Sequence, residues 1–349
     1  MASDNKNAIV LIPSYQPEKI MPTLCEALFN KGFKVIVVDD GSGEKYTKAF
    51  DECRPYCDLI TYPNNKGKGG ALKTGFAYIL KKYPTYDCVI TADGDGQHRI
   101  LDIEAIYERC ISKKVAIIGE RKFDVKVPIK SKLGNSLSKF TQALCTYRYM
   151  QDNQCGLRAF PVSLLPQMIK IRGNRYEYEM RVLNYLQTRE IRYLTMPVKT
   201  IYEEGNTSSH FNPIKDTLLI QGSIFACGLV NFLSFLVCLA SAILYCEFLT
   251  KGYGVGYELA ILLASPTALI FHVAINWIVF RPKFPLRMIF RLVLYEILIL
   301  ATMLITEVLF TRIIGWPYYV SIIICYPLMI LPLYYLIKGI SLVYNSQYE

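Results

Sequence analysis

Two aspartates separated by one glycine, Asp93-Gly94-Asp95, have the clearest chemistry in their spacing of any residues in this chain. Residues two apart on an extended chain face the same side, so both carboxylates can converge on one cation. Hard oxygen ligands favour Mg2+ or Mn2+, ions that commonly hold the diphosphate of a nucleotide. Gln97 offers a further oxygen, and Gly94 and Gly96 let a ligand approach the backbone closely. Asp-Gly is also a common turn dipeptide, so the motif by itself is equally compatible with a polar turn.

The element that must position this pair is the run 88–92, whose apolar or β-favouring residues read as a buried strand ending at Asp93. Further strands are expected over 8–13, 34–38, 59–62, 115–119 and 193–198, with helical patterns such as 18–31, 45–52 and 100–112 between them. This alternation predicts an α/β domain with a mainly parallel sheet, whose ligands gather beyond the carboxyl ends of the strands. Loops 13–17, 39–42 and 93–98 all meet that location rule, which favours the metal reading over the bare turn.

Other charged residues fall around the same end. Lys68, in Lys66-Gly67-Lys68-Gly69-Gly70, either approaches a phosphate or is a solvated lysine at a helix start. Arg121, after the strand over 115–119, is placed to reach an anionic ligand, and the basic segment Lys126, Lys130 and Lys132 leads into a helix up to about residue 147. Residues 152–160 read as a polar loop closing on an apolar segment. Within it, Arg158 suggests a partly buried guanidinium in need of an anion or carboxylate partner. The helix that starts near residue 176 either returns Glu179 to the site or pairs it with Arg158.

The chain has 349 residues, 52% of them hydrophobic, eleven cysteines and a formal net charge of +10. Apolar residues are unevenly spread, which divides the chain into a cytosolic α/β domain over 1–212, an amphipathic juxtamembrane helix over 213–223 and an all-α membrane domain over 224–349. Four spans are expected at about 224–246, 257–280, 289–309 and 318–337, each long enough to cross about 30 Å of hydrocarbon. Arg281, Lys283 and Arg287 lie between the second and third, which puts that loop and both termini in the cytosol. Asn231, His272, Asn276 and Glu296 fall inside these spans, where a polar path and interhelical hydrogen bonding are the competing readings. The positive charge sits beside hydrophobic segments and no aromatic-basic motif appears, so a membrane rather than nucleic acid explains it. No CxxC pair or histidine cluster suggests zinc. No Walker or Rossmann glycine pattern is present. The N-terminus lacks the layout of a cleaved signal.

Ile12-Pro13-Ser14-Tyr15, Val38-Asp39-Asp40-Gly41-Ser42, Asn65-Lys66-Gly67-Lys68-Gly69, Asp93-Gly94-Asp95-Gly96-Gln97-His98 and Gln154-Cys155-Gly156-Leu157-Arg158-Ala159-Phe160 occur in one order. As an ordered set they resemble family 2 glycosyltransferases of the dolichyl-phosphate-mannose synthase or polyprenyl-phosphate glycosyltransferase kind, over roughly residues 7–220. The C-terminal part looks like the four-span GtrA family, through Asn276-Trp277-Ile278-Val279-Phe280-Arg281. The resemblance implies a GT-A fold that moves a sugar, with inversion, from a nucleotide diphosphate sugar to a polyprenyl phosphate. It implies that Pro13, Tyr15, Asp39 and Asp40 hold the nucleoside, that Asp93, Asp95 and Gln97 hold Mg2+ or Mn2+, and that Arg121 contacts phosphate. Gly94 and Lys68 join the donor site, Asp95 and Asp93 carry the catalytic work through the cation, and Lys130, Lys132 and Arg158 serve the acceptor phosphate. His210 stands where the synthases carry the lysine of a Ser-Lys pair. Where the family has Asp-Ala-Asp, this chain has Asp93-Gly94-Asp95.

The resemblance thus sets the expected partners as a nucleotide diphosphate sugar, a polyprenyl phosphate and the membrane, without nucleic acid and with homo-oligomerisation left open. The expected location is multi-pass in a bacterial plasma membrane. A processive polysaccharide synthase is disfavoured, because its Gln-x-x-Arg-Trp motif is missing. A lipid-linked sugar flippase and an enzyme whose membrane half is only an anchor remain the competing readings.

Overall fold

The structure, a computed structural model, describes residues 6–121, 129–146, 149–189, 191–199, 212 and 215–256, together with scattered positions from 259 to 338. The elements in chain order are β1 (Ala8–Ser14), α1 (Met21–Asn30), β2 (Lys34–Asp39), α2 (Thr47–Cys53), β3 (Cys57–Thr61), α3 (Lys68–Lys82), β4 (Cys88–Thr91) and α4 (Ile100–Lys113). They continue with β5 (Ala116–Arg121), α5 (Ile129–Thr146), β6 (Arg158–Pro161), α6 (Leu165–Ile169), α7 (Glu177–Thr188), β7 (Tyr193–Val198) and α8 (Lys215–Tyr253). The expected α/β domain with a mainly parallel sheet is what forms.

The seven strands lie in the order β3-β2-β1-β4-β6-β5-β7. All neighbours pair in parallel except β6, which runs antiparallel to both β4 and β5. β1 and β2 are continuous apolar runs because both of their faces are covered. On one face, Val10, Ile12, Val35 and Val37 join Leu24, Leu28, Phe50, Ile103 and Ile106 in the core. On the other, α3 packs so closely that a side chain at Gly75 would collide with Leu11. Each fully buried aliphatic side chain of this kind contributes about 1.5–3 kcal/mol relative to exposure.

The expected loop over 152–160 is replaced in its last part by strand β6. Thr91 pairs with Arg158 and Ile90 with Ala159, so the polar residues before β6 arrive at the carboxyl end of β4. The helix expected over 18–31 begins only at Met21, with a proline in its first turn.

Two compact units divide the chain, one formed by Met1–Lys139, Gln151–Ser223 and Tyr348–Glu349, the other by Phe140–Met150 and Ile224–Gln347. Helix α8 is continuous through most of the expected interfacial helix and the whole of the first expected span. Among the described residues no helix is long and apolar enough to cross a membrane. Most of 257–280, 289–309 and 318–337, including His272, Asn276 and Glu296, and the side chain of Asn231 lie outside the described residues.

Candidate active site

The sheet order reverses at β1, which has β2 on one side and β4 on the other. In an open α/β sheet such a switch point leaves a crevice beyond the strand ends, because the connecting helices diverge there. The loops after β1 and β4 flank it. A backbone bond from the Gln16 amide to Ser42 Oγ (2.8 Å) ties the loop after β1 to the loop after β2, and Gln16 takes a left-handed φ of 53°.

Asp93 is fixed from three sides. Lys68, on the first turn of α3, brings its Nζ within 2.7 Å of Asp93 Oδ1 and 2.8 Å of Glu179 Oε2 on α7. His98 Nε2 lies 3.4 Å from Asp93 Oδ2, and its Nδ1 is buried with no hydrogen-bond partner among the described residues. Gly156 passes behind the carboxylate so closely that a Cβ there would sit 2.5 Å from Asp93 Oδ2. Thr91 Oγ1 holds that turn by donating to the Gly156 carbonyl at 2.9 Å.

The charges set the titration. Burial works against the Asp93 anion, but the Lys68 ammonium and His98 outweigh it and hold the carboxyl well below the usual carboxylate range. Burial likewise disfavours the Lys68 cation, yet Asp93 and Glu179 raise its pKa above that of an ordinary lysine. Asp95 behaves oppositely, since burial and the neighbouring Asp93 charge both raise its pKa. Its Oδ1 accepts the Gln97 backbone amide at 3.0 Å.

The remaining expected residues divide by what their polar atoms already do. Pro13 lies at the end of β1, opposite Val38, and Tyr15 follows it. Asp39 Oδ1 accepts the Ser42 amide at 2.9 Å, a turn closed by its own side chain. Asp40, expected at the nucleoside, accepts the Tyr62 hydroxyl (2.6 Å) and the amides of Lys66 (2.8 Å) and Gly67 (2.8 Å). It therefore shapes the turn into α3. Arg121 is gripped by Asp152, with Nε at 2.6 Å and Nη2 at 3.1 Å from its carboxylate.

Arg158, expected at the acceptor phosphate, is held by backbone carbonyls. Its guanidinium is buried and donates to the carbonyls of Cys155 (2.9 Å), Glu179 (2.7 Å) and Asn153 (3.5 Å). A cation so enclosed orders the 153–158 turn. The Glu179 carboxylate turns to Lys68 and so returns to the site, while only its backbone carbonyl meets Arg158. Lys130 and Lys132 are on α5, but their side chains, like all of His210, lie outside the described residues.

Asp152, the His98 ring and Gly156 are additions that sequence reasoning did not single out. A polar loop before an apolar run was the available signal, but its register against β4 was not visible. Among the described residues, no group of three or more His, Cys, Asp or Glu side chains could hold a metal ion. The donor chemistry nevertheless fits Mg2+ or Mn2+ of the open kind, held by one or two carboxylates and substrate phosphates. Asp93 and Asp95 are two hard-oxygen groups close enough for one charge to disfavour the other.

The mostly parallel α/β sheet thus carries the Asp93–Asp95 pair in the loop after β4, beside its switch point. The family model for glycosyl transferase family 2 matches residues 9–168. An uncharacterized protein of Methanocaldococcus jannaschii is 32% identical over 219 residues, covering 60% of this chain and 88% of that protein. A UDP-N-acetylglucosamine–dolichyl-phosphate N-acetylglucosaminyltransferase of Methanococcus voltae is 31% identical over 224 residues, covering 57% of this chain and 88% of that enzyme. An undecaprenyl-phosphate 4-deoxy-4-formamido-L-arabinose transferase of Pectobacterium atrosepticum is 26% identical over 180 residues, covering 49% of this chain and 53% of the enzyme. The chain belongs to glycosyl transferase family 2.

Proposed function

We propose that this protein transfers a sugar, with inversion, from a nucleotide diphosphate sugar to a polyprenyl phosphate at the cytosolic face of the plasma membrane. The observation that carries this reading is the Asp93–Lys68–Glu179 cluster with Asp95 at the switch point of a family 2 chain. Relatives named as dolichyl-phosphate and undecaprenyl-phosphate transferases support the acceptor class.

The reaction forms a bond from an acceptor phosphate oxygen to the anomeric carbon and breaks the bond from that carbon to the donor diphosphate. A lipid monophosphate is already anionic near neutral pH, so positioning and leaving-group stabilisation suffice without a proton-abstracting base. Mg2+ or Mn2+, when bound, would supply positive charge opposite the donor diphosphate. Asp95 would hold that ion with Asp93 and Gln97, and Asp93 in turn orients Lys68 as a second positive charge in the crevice. Lys130 and Lys132 would meet the acceptor phosphate. Residues 224–349 would anchor the enzyme, and their GtrA-like pattern adds translocation of the lipid-linked product as a task to examine in vesicles.

The test is purified full-length protein with undecaprenyl phosphate, Mg2+ or Mn2+, and a panel of nucleotide sugars. One donor is expected to give a solvent-extractable glycolipid that disappears with chelator. Transfer only to water-soluble acceptors would overturn the acceptor assignment.

A further inference from the structure

The loop over 173–176 touches two elements at once. Toward α3, the Asn174 carbonyl accepts the Gly70 amide at 2.9 Å, and Asn174 Oδ1 accepts Lys73 Nζ at 2.7 Å. Gly70 lies two residues after Lys68, so this contact fixes the turn from which the Lys68 ammonium reaches Asp93. Toward α8, Arg175 forms a two-pronged pair with Asp216, Nε to Oδ1 at 2.8 Å and Nη2 to Oδ2 at 3.2 Å. The Asp216 side chain is 0% exposed. Its Oδ2 also accepts the Asn212 amide at 2.8 Å, and Asn212 Oδ1 accepts the Lys215 amide at 2.8 Å. The first turn of α8 is therefore closed around the same carboxylate that grips Arg175.

We propose that the Arg175–Asp216 pair is a positioning device: seating the first turn of α8 holds loop 173–176 against α3 and keeps Lys68 between Asp93 and Glu179. A fork-shaped guanidinium on a buried carboxylate fixes angle as well as distance, so it passes on a displacement that a single contact would absorb. The loop is stiffened from its far side, where Glu177 Oε1 accepts the amides of Asn174 (3.0 Å) and Arg175 (3.3 Å). Displacement of α8 at its start then acts on Lys68 through a chain of polar contacts. This goes beyond the transferase reading, because it links two segments of the chain and requires no particular donor or acceptor.

Hydrogen exchange on the full-length protein without substrate tests the link directly. In Asp216→Ala, exchange at the Gly70 and Ala71 amides is expected to rise about tenfold while the β2 amides stay protected. A rise confined to α8, or one spread through the whole domain, would overturn the proposal. Should Asp216→Ala fail to fold, Arg175→Lys against Arg175→Met makes the same comparison, with protection retained in the lysine variant only. UDP affinity in the presence of Mn2+ gives the second readout. Asp216→Ala should weaken it about fivefold in the parent and leave it unchanged in a Lys68→Met background, because residues acting through one another are not additive. Equal weakening in both backgrounds would contradict action through Lys68. Failure of the parent protein to bind UDP would count against a uridine donor and leave the exchange result to decide the link.

Discussion

Gly94 and Gly156 lie on two sides of Asp93 and respond differently to an added methyl. At Gly94 the nearest atom to a new Cβ is the Ile12 Cγ2 methyl at 3.3 Å, so alanine asks for a shift of a few tenths of an ångström. Gly94→Ala should change stability by less than about 1 kcal/mol and leave turnover within a few-fold of the parent. At Gly156 the new methyl meets the Asp93 carboxylate itself, 2.5 Å from Oδ2. Displacing that group by about an ångström should lower kcat/KM by about 10- to 100-fold. Measuring both variants in the same transfer assay, with melting temperatures alongside, checks the contrast; equal activities would mean that Asp93 is not held from behind by Gly156.

The end of β5 carries a charge the fold opposes. Burial pushes the Glu120 carboxyl up to about 7, with the nearby Asp152 adding to the rise and the Gln151 amide offsetting part of it. A carboxyl whose folded pKa exceeds its unfolded value, near 4.3, binds its proton more tightly in the folded state. Its contribution to stability is therefore full below about pH 4.3 and is lost as pH rises toward 7. Glu120→Gln should flatten the stability profile across that window and stabilise the protein by on the order of 2 kcal/mol at pH 8, read as unfolding free energy against pH. A parallel profile in parent and variant would place the Glu120 charge in water.

Long apolar runs such as β1 and β2 were legible in the sequence because burial on both faces leaves an uninterrupted pattern. β6 was not, because its four residues include a buried arginine and a proline, and it is a strand only through its pairing with β4 and β5. The same pairing hid the parts of the site that depend on it. Asp93 and Asp95 declare themselves by spacing, whereas Gly156 matters because of a carboxylate 63 residues earlier. Asp40 adds a structural part that the sequence did not show: the three donors around it reveal that it builds the turn into α3.

Across the whole molecule, one cluster gathers residues from distant parts of the α/β unit: Lys68 from α3, Asp93 and Asp95 after β4, Glu179 from α7. The arrangement couples a strongly ionised Asp93 to an Asp95 whose charge is opposed, and a bound divalent cation would reverse that opposition by pairing with both. Asp95 is thus the group on which metal-dependent transfer should depend most. The decisive measurement is glycolipid formation by purified Asp95→Asn protein, titrated with Mn2+ beside the parent. A fall of at least about 100-fold in transfer is expected, in a folded protein at least as stable as the parent. Metal-dependent transfer to polyprenyl phosphate at the parental rate would contradict it.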